Sequence, residues 1–140
     1  MTTPLAAKIA REYGTPCAVI DMDRVEANIA RIQAACDAAG LANRPHIKTH
    51  KSPMLAKLQI AAGAKGITCQ KIGEAEVMAD AGIDDILISY NLIGEEKMAR
   101  LGALQAKANM TVAADNSVVI AGLPQALPTG RISRPTRAHC

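Results

Sequence analysis

GITCQKIGEAEVMADAGIDDILIS, residues 66–89, carries a strand, a helix and a second strand in succession. Gly66-Ile67-Thr68-Cys69-Gln70 is a short apolar run suited to a buried strand, and Asp85-Ile86-Leu87-Ile88-Ser89 is another. Between them the sequence predicts a helix from about Gly73 to Ala81, closed by Gly82. Two such strands joined by a helix make a parallel pair with a crossover, because a tight hairpin cannot join parallel neighbours.

Working outward, the same alternation recurs. Cys17-Ala18-Val19-Ile20-Asp21 reads as a buried strand, and Asp23 with Glu26 resembles a capping box opening a helix. Val25, Ile29, Ile32 and Cys36 lie along one face of that helix, and Gly40 stands where a C-terminal glycine belongs. Pro45-His46-Ile47-Lys48 reads as a short strand. Ser52 then supplies an N-cap with Pro53 at the first helical position, and that helix continues to about Gly63. A helix over about 95–107 carries Met98, Leu101 and Leu104 on one side, Met110–Ala113 is the last strand, and Asn116 or Ser117 begins a further helix.

The polar residues ending successive strands are Lys48, Gln70, Tyr90 and Asp115, so one βα unit occupies 20–25 residues. A (β/α)8 barrel and a doubly wound sheet both satisfy that step, and both gather strand C-terminal ends on one face. The chain contains neither G-x-G-x-x-G nor G-x-x-x-x-G-K-[ST], which favours the barrel. A whole barrel needs about 250 residues. With 140 residues the expected fold is α/β, about the first half of a (β/α)8 TIM-type barrel with parallel strands and crossover helices.

Composition narrows the functional classes. The chain is 49% hydrophobic and has two tyrosines, Tyr13 and Tyr90, with no Phe and no Trp, so aromatic platforms for single-stranded nucleic acid are missing. No apolar run approaches the roughly 20 residues of a membrane span, and Met1–Leu5 lacks the layout of a secretory signal; the expected compartment is the cytoplasm. The four cysteines form no C-x-x-C pair and no zinc-like spacing with histidine. All 13 acidic residues precede Pro124, whereas Arg131, Arg134 and Arg137 follow it, so the net +3 resides in the last stretch. That proline- and arginine-rich stretch shows no periodicity. Residues 1–123 are accordingly read as the barrel part, and residues 124–140 as a disordered basic tail, either a weak polyanion-binding arm or out-of-frame translation.

Arg44-Pro45-His46-Ile47-Lys48-Thr49-His50-Lys51 is the densest polar cluster, at a strand end. Alternation puts His46 and Lys48 on one face and Ile47 on the other. Lys51 and Arg44 are expected to crowd Lys48 with positive charge and lower its pKa, which suits a Schiff-base amine. A solvated basic loop and a phosphate-binding patch are the alternatives that composition leaves open.

RPHIKTHK (44–51), GITCQKIGEAEVMADAGIDDILISYN (66–91) and TPCAVIDMDRVEANI (15–29) together resemble the N-terminal half of the pyridoxal-phosphate proteins of the alanine-racemase-like barrel, fold type III. Within them the chain is most similar to the D-threonine aldolase and D-serine dehydratase branch, from about Tyr13 to Leu123. The resemblance implies pyridoxal 5'-phosphate held as a Schiff base by Lys48, with Gln70 near the cofactor ring and His46 shaping the pocket. It implies a lyase that cleaves β-hydroxy-D-amino acids to glycine and an aldehyde, or dehydrates D-serine. A divalent metal such as manganese assists in that branch, its ligands lying in a C-terminal domain without counterpart in these 140 residues. The partners implied are a small D-amino acid and a second copy in a homodimer, with neither nucleic acid nor membrane. Lacking the later strands, the chain is expected to be a truncated form of low or no activity, or a non-catalytic cofactor-binding relic.

Overall fold

A computed structural model describes residues 3–126. The first helix, α1 (Pro4–Tyr13), is capped by the Thr3 side chain and buries none of its residues. α2 (Met22–Ala38) starts at Asp21, whose carboxylate accepts the Arg24 N–H at 3.2 Å, so Asp21 takes the capping role expected of Asp23. It ends as the sequence predicts. Gly40 adopts φ 66°, where a side chain is disfavoured, while the Leu41 N–H returns to the Cys36 carbonyl at 2.9 Å. α3 (Pro53–Ala61) has the expected Ser52 cap and Pro53 at its first position.

Three parallel strands follow in the order β1 (Ile67–Cys69), β2 (Asp85–Ile88) and β3 (Asn109–Val112). They alternate with α4 (Ile72–Asp80) and α5 (Glu95–Gln105), and α6 (Ser117–Ala126) packs on α5. The register aligns Ile67, Ile86 and Met110 in one row and Cys69, Ile88 and Val112 in another. Both rows face the helices and join Met78, Leu101 and Leu104 in one core cluster. The intervening row of Thr68, Leu87 and Thr111 lies on the opposite face, because side chains alternate along each strand. A parallel sheet with crossover helices on one face is the expected partial-barrel arrangement.

Two expected strands differ. Cys17–Asp21 joins no sheet and Val19 and Ile20 are more than half exposed, so the apolar stripe of α2 has no strand beneath it and only Gln33 of that helix is buried. Pro45–Lys48 contracts to a single parallel bridge between His46 and Thr68, because a turn begins at Lys48. α6 runs through Pro124 to a buried Ala126, past the boundary read at Leu123, its apolar side held against α5. The remainder of the proposed tail, 127–140, lies outside the described residues. No helix among the described residues is long and apolar enough to cross a membrane.

Candidate active site

The short ladder beside β1 fixes where the lysine stands. The Thr68 N–H donates to the Pro45 carbonyl at 2.8 Å, and the Ile47 N–H donates to the Thr68 carbonyl at 2.9 Å. Ile47 is fully buried, so His46 and Lys48 face away from the helical core, as alternation predicts. Two residues past the pairing of His46 with Thr68, Lys48 leaves the ladder at the start of a turn. One residue past the pairing of Cys69 with Ile88, Gln70 and Ser89 follow the ends of β1 and β2.

Lys48 is exposed, and its amine takes part in no hydrogen bond or ion pair among the described residues. Its backbone N–H donates to His46 Nδ1 at 3.3 Å, and His46 Nε2 lies 3.5 Å from Ser89 Oγ. Ser89 is therefore the strand-end residue beside His46, a position the sequence reading gave to Tyr90. One residue further on, Tyr90 is exposed and lines a cleft of about 700 Å³ with Gln70, Lys51, Glu74, Lys97 and Arg100. Lys48 and His46 do not line that cleft, so of the three expected site residues only Gln70 reaches the cavity. Asp115, also expected in the row, instead accepts from Asn91 Nδ2 at 2.7 Å and ties together the loops after β2 and β3.

The electrostatics differ from expectation. Arg44 makes a two-pronged contact with Asp85 at 2.8 and 2.7 Å, and Lys51 is paired with Glu74. Each neighbouring cation is thus balanced by a carboxylate instead of adding bare charge beside Lys48. Burial opposes ionisation of Glu74, but the Lys51 ammonium and the Gln70 N–H, at 2.8 Å, outweigh it and hold the carboxyl below its ordinary range. Burial pushes the Cys69 thiol, on the core side of β1, up to about 12, and the Glu74 charge adds to this while Lys51 opposes it. Glu74 has a sequence signal, an acid in the first turn of a helix; Ser89 has one too, the two-residue period counted from buried Ile88.

An exposed primary amine in a turn beside the end of β1, two residues from an imidazole, is a group that fits an aldehyde cofactor. Metal chemistry finds no such set: no three His, Cys, Asp or Glu side chains converge among the described residues.

Three parallel strands joined by crossover helices are the arrangement of part of a (β/α) barrel. The chain belongs to the family described as alanine racemase, N-terminal domain, which it matches over residues 20–131. That match extends past Pro124. The chain is 43% identical over 113 residues to D-threonine aldolase of Arthrobacter sp, covering 81% of this chain and 30% of that protein. It is 51% identical over 78 residues to D-threo-3-hydroxyaspartate dehydratase of Delftia sp. (strain HT23), covering 56% of this chain and 20% of the relative. The crystal structure of D-threonine aldolase from Filomicrobium marinum superposes with a TM-score of 0.79 at 39% identity, over 81% of this chain and 31% of that one. The chain thus spans under a third of the length of these relatives.

Proposed function

We propose that this chain carries the lysine-bearing part of a pyridoxal-phosphate lyase that cleaves β-hydroxy-D-amino acids to glycine and an aldehyde. The supporting observation is the bridge from His46 to Thr68, which puts exposed Lys48 in the turn just beyond the edge of β1. Likeness to the D-threonine aldolase of Arthrobacter sp supports the reaction class.

When bound, the cofactor supplies an electron sink for the substrate's Cα. Lys48 would hold its aldehyde. His46, with Nε2 3.5 Å from Ser89 Oγ, stands two residues before the lysine and can hold a proton there. Gln70 offers an amide donor and acceptor on the wall of the cleft. Buried Ile47 anchors the strand so that the lysine does not swing into the core. Among the described residues no cluster of three His, Cys, Asp or Glu side chains fits a metal. The proposed partners are a D-amino acid substrate and a second copy of the chain, in the cytoplasm.

The 51% identity to a dehydratase over 78 residues favours a second reading, loss of water from the same class of substrate. Adding pyridoxal phosphate to the protein, reducing with borohydride and mapping the modified peptide tests the site. The adduct is expected on Lys48 and lost in Lys48→Ala; an adduct that persists in that variant overturns the assignment. Glycine released from D-threonine with added manganese identifies the aldolase, and ammonia released from D-threo-3-hydroxyaspartate the dehydratase.

A further inference from the structure

The segment from Lys48 to Lys51 makes one turn that is closed by the Lys51 N–H donating to the Ile47 carbonyl at 2.8 Å. Lys51 ends it with φ 50°, a left-handed conformation uncommon for a residue with a side chain. Such a conformation persists when surrounding contacts determine it. The contact here is Glu74 in the first turn of α4. One of its carboxylate oxygens pairs with Lys51 Nζ, and the other accepts the Gln70 N–H at 2.8 Å. The Glu74 side chain is only 8% exposed, whereas that of Lys51 is 56% exposed. The buried acid is therefore the fixed member and the lysine the one it holds. Glu74 joins the Lys48 turn, the end of β1 and the start of α4 through a single carboxylate.

We propose that Glu74 is a positioning residue for Lys48: acting through Lys51, it fixes the turn that carries the lysine beside the end of β1. This role rests on the reading of Lys48 as the cofactor lysine. Glu74 touches neither Lys48 nor the reacting atoms, and its effect passes through the backbone of the turn.

Two measurements on the 140-residue chain test it. Without cofactor, amide hydrogen exchange at Lys51 is expected to rise about tenfold in Glu74→Gln and in Lys51→Met, relative to the core amide of Ile86. In Lys51→Arg, which keeps the ion pair, it is expected to stay near wild type. With pyridoxal phosphate and borohydride, the same two variants are expected to lose about tenfold in labelling of Lys48 relative to the chain's other lysines, and Lys51→Arg to retain it. A general loss of stability would raise exchange at Ile86 equally and would not be rescued by arginine. Wild-type exchange at Lys51 in both Glu74→Gln and Lys51→Met overturns the clamp, as does unchanged labelling selectivity. If the wild-type chain is labelled elsewhere than Lys48, the cofactor reading falls, and the exchange result still decides whether Glu74 holds the turn. Should Glu74→Gln fail to fold, Lys51→Met carries the test, since its side chain is more than half exposed.

Discussion

The N–H of Ile47 donates to the carbonyl of Thr68 at 2.9 Å, and this bond carries the whole lysine segment onto the edge of β1. On the opposite side of the strand Ile47 is fully buried in the cluster that contains Ile67 and Ile86. The placement of Lys48 is thus secured by a core contact one residue away. Ile47→Val removes one methylene and is expected to cost about 0.5–1.5 kcal/mol, with Lys48 still labelled by pyridoxal phosphate. Ile47→Ala is expected to cost about 2–5 kcal/mol and to reduce labelling with it. Urea titration checks the first pair of values; an alanine variant as stable as wild type would show that Ile47 does not anchor the segment.

The register separates two neighbouring residues by function. Ser89 Oγ lies 3.5 Å from His46 Nε2, whereas exposed Tyr90 belongs to the cleft wall. Ser89→Ala is expected to slow Lys48 labelling about two- to tenfold, as loss of one hydrogen bond permits. Tyr90→Phe is expected to leave the rate unchanged. The reverse ranking would mean that the strand end is shifted by one residue.

Gly66 opens β1 where the backbone passes the Arg44–Asp85 pair. A Cβ there would stand 2.5 Å from both the Arg44 guanidinium and the Asp85 carbonyl oxygen. The carbonyl belongs to the adjacent strand and cannot step aside without moving the ladder. Gly66→Ala is expected to destabilise by about 1–3 kcal/mol, the range for overpacking. A melting temperature equal to wild type would rule out so close an approach.

These contacts show which features local sequence can encode. The Ser52–Pro53 start of α3 and the Gly40 stop of α2 are decided within a few residues, and both are where the pattern puts them. Val19 and Ile20 are written as strand residues, yet a strand exists only when another chain segment offers its backbone, and among the described residues none does. The site divides in the same way. Lys48 and His46 share a face because alternation is local, whereas Ser89 could be aligned with them only by the pairing across β1 and β2. The pairing of Lys51 with Glu74 spans 23 residues. Charge counting along the sequence therefore placed bare cations beside Lys48 where the fold supplies their counterions.

His50, Glu74 and Glu76 give the protein a one-sided pH dependence. His50, partly buried, has its pKa lowered from 6.5 by desolvation, against a raising contact with Gln59, while its Nδ1 accepts the Ser52 N–H at 3.0 Å. The unfolded chain therefore takes up a proton at His50 before the folded one does, and stability falls as pH drops below about 6.5. Glu76, hydrogen-bonded by Arg100, and Glu74, clamped by Lys51 and the Gln70 N–H, are both held below their ordinary 4.5. Their contribution is present above that value and is lost as pH falls from it through the lower folded-state values. All three groups act in the same direction, so urea midpoints are expected to decline in two stages on acidification. His50→Gln should flatten the stage between pH 6.5 and 4.5 and leave the lower one. Glu76→Gln should weaken only the lower stage, and added salt should mimic it in part, since the Arg100–Glu76 pair is about one-third exposed on each side. A His50→Gln variant that retains the full upper slope would place the titrating group elsewhere.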